Sequence, residues 1–537
     1  MTYALFALLC AGCRTPDEHR LAADDEVYAI VAARRDELGA GGAFTIDPPP
    51  DALRGRIVEA AASGEPLALE PLGFVESLSI AAENSRDYQR EREQLYLAAL
   101  DLTLERWRFG WQPDATVAGA VAGDAGALGD VGVAGVGGNL SFSKIFGTGA
   151  VVIGDIGLDF FRALSSGDGW DAISTASLSI TQPLLRGFGS DIVLEPLTQA
   201  ERNVLYQARD YERFRRTFAF EVAARMFRIA QQVDTLANEE QNHASLVVIR
   251  ERNEAFAEAG QLLDIEVDQA EQDELRARTR VVEAQRTLES LYDDFKLFLG
   301  LPVETALRIK DEELDQLFGL VVPEVEFDEE LAARVALERR LDHQTVIEQV
   351  ADAEREVHIA EDALGAGLNF SGGINGASQE GQPLVFEHTP ILWNASLELD
   401  LPIDRLPERN VYRAALINRE LFRRTAEESA DQVREDVRAA IRELEAAREQ
   451  VGIQANAVIL AERRVESSSM QQEAGRADTR DLLDSQEALV EAQNAEVQAR
   501  VDYTLARLAL YRDMELLRVD EGGLRVEVEP LTGEDGP

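Results

Sequence analysis

The chain repeats itself, and this duplication limits its possible folds more than any other feature. Ala176-Ser-Leu-Ser-Ile-Thr-Gln-Pro183-Leu returns as Ala395-Ser-Leu-Glu-Leu-Asp-Leu-Pro402-Ile. Glu258-Ala-Gly260 returns as Glu473-Ala-Gly475. From those glycines, Glu266-Val-Asp-Gln-Ala-Glu271 aligns without a gap on Asp481-Leu-Leu-Asp-Ser-Gln486. A weaker pair, Ala82-Glu-Asn-Ser-Arg-Asp87 and Leu337-Glu-Arg-Arg-Leu-Asp342, opens each half. The order is the same in both halves, so one ancestral unit has been duplicated, and it is too long for a solenoid repeat.

Each unit reads as helix, β region, very long helix, tight turn, long helix. The first repeat covers 72–300: a helix over Leu72–Phe109, a β region at 113–183 and a helical hairpin at 197–299. The second covers 329–517: a helix over Glu329–Leu364, a β region at 366–402 and a hairpin at 410–517. Residues 301–328 link the repeats, 13–71 precede them as a tether, and 518–537 form a tail.

The β regions alternate over short stretches, as in Asn139-Leu-Ser-Phe-Ser-Lys144, Ala176-Ser-Leu-Ser-Ile180 and Ala395-Ser-Leu-Glu-Leu-Asp, between Gly-rich turns. Such alternation suits strands with one face to lipid and one to a lumen; a soluble β-sandwich also alternates. One chain holds too few strands to close a membrane barrel, which takes at least about 8, so several chains must contribute. In the long helices, Phe214, Phe218, Val222, Met226, Ile229, Val233 and Leu236 step by three or four, as do Val433, Val437, Ile441, Leu444, Val451, Ala455 and Val458. A helix of about 60 residues reaches roughly 90 Å at the α-helical rise, and a stripe sustained that far implies coiled-coil-like packing. Gly260 and Gly475 stand where each helical hairpin must reverse.

Composition narrows the function. The chain carries 99 acidic and 53 basic residues, a formal charge of −46, which argues against nucleic-acid binding. No apolar run approaches the roughly 20 residues of a spanning helix, which leaves a β-barrel as the only way across a membrane. The two cysteines, Cys10 and Cys13, both lie at the N-terminus, so the body has no disulfide framework or cysteine metal site. The stretch Tyr3-Ala-Leu-Phe-Ala-Leu-Leu-Cys-Ala-Gly-Cys13 resembles a bacterial lipoprotein signal: residues 1–12 would be the signal peptide and Cys13 the lipidated residue. The five histidines are scattered, none in a metal spacing such as H-E-x-x-H, and no phosphate-binding glycine loop precedes a helix. We expect no enzyme activity, catalytic residue, metal or cofactor.

Ser177-Leu-Ser-Ile-Thr-Gln-Pro-Leu-Leu-Arg-Gly-Phe-Gly189 resembles the strand-to-helix passage of TolC-like outer-membrane efflux proteins. Asp264-Ile-Glu-Val-Asp-Gln-Ala-Glu271, Phe298-Leu-Gly-Leu-Pro302, Ala336-Leu-Glu-Arg-Arg-Leu-Asp342 and Asp481-Leu-Leu-Asp-Ser-Gln486 extend the resemblance over about 72–517. The fold class it implies is mainly α with a β-barrel portion. Long antiparallel helical hairpins of a homotrimer would form an α-barrel through the periplasm, and the strands a shared 12-stranded barrel in the outer membrane, four from each chain. Residues 301–328 and 518–537 would form an equatorial belt. A periplasmic adaptor and an inner-membrane pump would dock on this passive duct, whose surroundings include outer-membrane lipid.

The resemblance also implies sites. The periplasmic gate would consist of acids after the second hairpin turn, Asp481 and Asp484, with Glu266 as the first-half counterpart. Arg476 and Arg480 would lock it, and the tips at Gly260, Gln261, Leu262, Gly475, Arg476 and Ala477 would contact the adaptor. Residues 113–183 exceed what two strands need, and Phe146-Gly-Thr-Gly149 looks like an added turn: either a decorated loop or an extra hairpin. The alternative function is a structural coiled-coil envelope tether that conducts nothing.

Overall fold

A computed structural model describes residues 14–39, 44–47, 49, 51–64, 67, 69–124, 131–163, 169–310, 328–379, 381–387, 389–401, 403–474, 476–520 and 523–527. Cys10, Cys13, Gly475, most of the linker at 301–328 and the end of the tail lie outside the described residues.

In chain order the elements begin with α1 (Pro16–Glu37), α2 (Leu53–Ser63), α3 (Phe74–Asn84) and α4 (Arg86–Arg108). Strands β1 (Gln112–Asp124), β2 (Val131–Ile145), β3 (Val151–Ala163) and β4 (Asp171–Pro183) follow. Next come the single turn α5 (Ser190–Val193) and the hairpin α6 (Glu195–Glu258) and α7 (Asp264–Phe298). The second half contains α8 (Glu329–Arg339), α9 (Leu341–Asp362), β5 (Gly367–Ala377), β6 (Leu392–Asp400), α10 (Leu406–Glu473) and α11 (Thr479–Asp513). A small hairpin, β7 (Leu517–Asp520) and β8 (Gly523–Val526), ends the described chain. The 64 and 68 residues of α6 and α10 match the long periodic stripes; Pro196 and Pro407 fall in their first turns, where no amide hydrogen is needed, and no other proline interrupts either helix.

Two expectations are corrected. The helices over 72–109 and 329–364 are each broken, at Ser85 and at Arg340, which align in the duplicated motif. Both residues take extended backbone, φ −68° and ψ 130° for Ser85 and φ −63° and ψ 117° for Arg340. In the first half the break makes room: a Cβ on Gly300 would stand 2.0 Å from the carbonyl oxygen of Asn84. The second correction is the strand count. Residues 113–183 form four strands, so the extra hairpin is real and, among the described residues, the large sheet has six strands, not four. The segment expected as a tether, 13–71, contains α1 and α2; α1 opens on a capping box, Thr15 with Glu18.

The contacts divide the chain into two compact units: residues 1–38, 95–208 and 345–427, and residues 39–94, 209–344 and 428–537. The first unit carries the sheet, an antiparallel meander in the order β1-β2-β3-β4-β5-β6, with open outer edges on β1 and β6. It also carries an ion-pair cluster, in which Asp352 on α9 accepts from Tyr206 Oη at 2.6 Å, from Arg355 at 3.0 Å and from Arg202 Nε.

The second unit has an aromatic core. Phe218 stacks on Phe298 at 4.7 Å, and Tyr88 meets Phe218 edge-on at 5.4 Å. Residues 301–310 return to the start of the repeat, where the Leu72 amide donates to Arg308 O at 2.8 Å and the Lys310 amide to Leu72 O at 3.0 Å. At the α8–α9 break the Arg340 guanidinium bonds Asp342 at 2.8 Å and Asp436 at 2.6 Å.

Candidate functional site

Strand pleating gives the sheet two faces of opposite chemistry. One ladder row runs Asp114, Ser141, Asp155, Ser177 and Asn375 before ending on Leu392, and Ser396 and Glu398 lie on the same, mostly polar, face. The other face carries Val117, Leu140, Ile156, Leu178, Phe370 and Leu397, one from each strand, and all six are exposed. An exposed apolar face this extensive is not what a water-soluble sheet presents. On this face the Phe142 ring lies directly over Gly154, where a Cβ would stand 2.1 Å from it. At its helix-proximal end the Lys144 ammonium lies 5.2 Å from the Trp111 ring centre and 5.3 Å from that of Phe146. A lysine beside aromatics at the end of an apolar band suits a lipid–water boundary. The polar face is concave over β1–β3, where an open hollow of about 670 Å³ is lined by Thr116, Asn139, Asp155 and Asp159 together with Ala118, Ala120, Ala122, Val133 and Phe161.

The hairpin tips form the second candidate. At the end of α6, Gly260 has φ +70°. Its amide donates to Ala257 O at 2.9 Å and that of Gln261 to Phe256 O at 2.8 Å, the paired closure of a Schellman turn. The second tip repeats the longer bond, Arg476 N to Gln471 O at 2.8 Å. Leu246, Ile249 and Ala277 of the first hairpin pack on Leu482 and Leu483 of the second in one buried cluster.

This packing fixes the expected gate residues. Leu482, Leu483 and Ser485 are buried in the protomer, whereas Asp481 and Asp484, on the first turns of α11, are exposed. Arg476 and Arg480 are exposed and make no ion pair with a described residue. Gln261 and Ala477 border the turns, exposed and half-buried, and Leu262 is half-buried. Glu266 behaves differently: it is half-buried and accepts from the hydroxyl of Thr479 at 2.9 Å. That hydroxyl, fully buried, also accepts from Asn253 and Gln472 at 3.2 Å each.

Sequence reasoning missed Thr479; the signal was a threonine at the first position of α11, facing the other hairpin. Further from the tips, Arg280 of α7 bonds Glu239 of α6 at 3.1 Å and lies 3.7 Å from Glu487 of α11. Beside it, Asp273 has its carboxyl pushed above the ordinary range by burial, against the pull of Arg276 and with help from Glu487 and Asp484.

Residues 332–514 match the family model for the outer membrane efflux protein. No curated protein sequence matches the chain. Among solved structures, CusC, described for transmembrane channel formation, is similar over 82% of this chain and 92% of its own, at 14% identity and a TM-score of 0.60. VceC, an outer membrane protein of Vibrio cholerae, is 13% identical over 82% and 95% of the two chains, with a TM-score of 0.59. The CmeC outer membrane channel of Campylobacter jejuni is 14% identical over 84% and 86%, with a TM-score of 0.59. The chain therefore has the fold of an outer-membrane channel protein. Its second half carries the signature of the outer membrane efflux protein family, in agreement with the TolC-like resemblance of the duplicated motifs.

Proposed function

We propose that three copies of this chain build the exit duct of a tripartite efflux or type I secretion system in the cell outer membrane, with a long periplasmic extension. The duct conducts passively, from a periplasmic adaptor and an inner-membrane pump to the exterior. The observation that carries this reading is the sheet's exposed apolar face, backed by a polar, concave one. The competing reading, a coiled-coil tether, has no use for such a face. The hairpin tips, at Gly260, Gln261, Leu262, Gly475, Arg476 and Ala477, are the adaptor's docking points, and acylation of Cys13 adds a second anchor.

Threefold symmetry would turn Asp481 and Asp484 into two stacked carboxylate rings at the periplasmic entrance. Six carboxylates in a narrow aqueous ring create a negative potential that attracts multivalent cations. Arg476 and Arg480 are available to lock neighbouring protomers, whereas Glu266 is held by Thr479 within its own protomer.

In planar bilayers, wild-type channels should be blocked by hexamminecobalt(III) from the periplasmic side. Asp481→Ala with Asp484→Ala should weaken that block at least about tenfold, the effect of losing about 1.4 kcal/mol of ion binding. Glu266→Ala should change it little, and Glu443→Ala on the exposed side of α10 not at all. Unchanged block in a normally assembled double variant would move the gate elsewhere.

A further inference from the structure

The strand count alters the duct itself. We propose that all six strands are staves, that β1 of one copy pairs with β6 of the next, and that three copies close an 18-stranded barrel with an acidic lumen. This rests on the trimeric duct reading and goes beyond it, because the resemblance implies only 12 strands.

Four observations carry the inference. First, β1 and β2 share the two-faced pattern of the other four strands: Val117, Val121, Val136 and Leu140 are exposed on the same face as Ile156. A hairpin folded away from lipid would not need that face. Second, the concave hollow lies under β1–β3, so these strands curve toward the polar side, as a barrel wall must.

Third, the stagger is that of a barrel. The ladder row through Gln112, the first residue of β1, passes Ser143, Ile153, Ser179 and Gly373 and ends on Asn394. Asp400, the last residue of β6, lies six positions further toward the helices. Gln112 and Asp400 both adjoin helix ends, so they mark one level. Six residues are about 20 Å along the strand and five strand spacings about 24 Å across, a tilt of about 40°. Membrane barrels tilt by about 35–45°.

Fourth, β1 leaves the helices and β6 returns to them, so β1 of one copy meets β6 of the next in antiparallel sense. Their open edges cannot stay unpaired in lipid, where each unsatisfied backbone group costs several kcal/mol.

The lumen follows from the same register. Asp114, Asp155, Asp159 and Glu398 lie on the polar face, whereas the only basic residues of the six strands, Lys144 and Arg162, lie on the apolar one. Asp400 is already paired with Arg186 at 2.9 Å. A barrel of about 18 strands leaves an open aqueous channel. The exit is therefore wide and prefers cations by charge, with little selection by size.

Cryo-electron microscopy of the full-length protein in lipid nanodiscs decides between the outcomes. We expect threefold particles with 18 strands and β1 beside a neighbour's β6. In parallel, Ala118→Cys combined with Ser396→Cys should give disulfide-linked oligomers on oxidation, and Asp159→Cys with Ser396→Cys should not. Threefold particles with 12 strands, β1–β2 outside the wall and the Asp159 pair linking instead would overturn this inference and leave the duct standing. Particles without threefold symmetry would overturn both.

Discussion

The hydroxyl of Thr479 ties the two hairpins of one protomer together, accepting from Asn253 and Gln472 and donating to Glu266. Thr479→Val keeps the volume and strands three buried or half-buried polar groups, each worth about 1–3 kcal/mol when left unpaired. The variant should assemble normally, since the Leu246–Leu483 cluster is untouched, yet loosen the tips. We expect a higher open probability in planar bilayers and faster amide exchange at 253–266; wild-type gating would show that the tie is idle. That Glu266 binds a threonine rather than the lumen was not legible in the sequence, which shows only that it aligns with Asp481.

Another residue shows how duplication hides in substitution. Gly300 follows Gly260 by the same spacing as Glu515 follows Gly475. Both take positive φ, +79° and +59°, and both end a helix through a Schellman turn. A glutamate there carries backbone strain that glycine avoids, and the structure holds it with Arg216 at 2.6 Å and Arg213 at 3.0 Å, both bonding its carboxylate. No local pattern announces a glutamate in that role.

At the scale of elements, the long hairpins were legible because 3.6-residue periodicity and missing prolines reach over many turns. The breaks at Ser85 and Arg340 were not, because neither residue is a helix breaker; tertiary contacts impose them. At the second break His343 is buried, with Nδ1 2.8 Å from Ser429 Oγ. Burial lowers its pKa; the Asp342 charge pulls the other way, and Arg340 and Arg434 add to the lowering. A folded pKa below the unfolded value makes His343 stabilising above about pH 6.5, a contribution lost on acidification below that.

Burial pushes Asp342 up, but Arg340 and Arg213 outweigh it and hold its carboxyl below the ordinary range. Its contribution, present above the unfolded carboxylate value, therefore survives until more acidic pH. Between pH 7.5 and 5.5 the unit's melting temperature should fall through His343, and His343→Gln should flatten that slope. An unchanged slope would assign it to another group.

On the scale of the whole molecule, the sheet's apolar face is the feature that a membrane duct needs and a soluble tether does not. Alternation in 139–144, 176–180 and 395–400 made the strands legible, but the number of strands was not, since Gly-rich turns and loops look alike in a sequence. Trp393 sits on that face in β6 and is 78% exposed in the protomer. Trp111 lies near the Lys144 boundary. The most direct measurement keeps Trp393 as the only tryptophan, with Trp107, Trp111 and Trp170 replaced by phenylalanine, and reconstitutes the chain in bilayers of brominated lipids. Bromine on the acyl chains should quench Trp393 strongly and aqueous iodide hardly at all. Quenching by iodide with no effect of lipid bromine would place the face in water and contradict the outer-membrane duct.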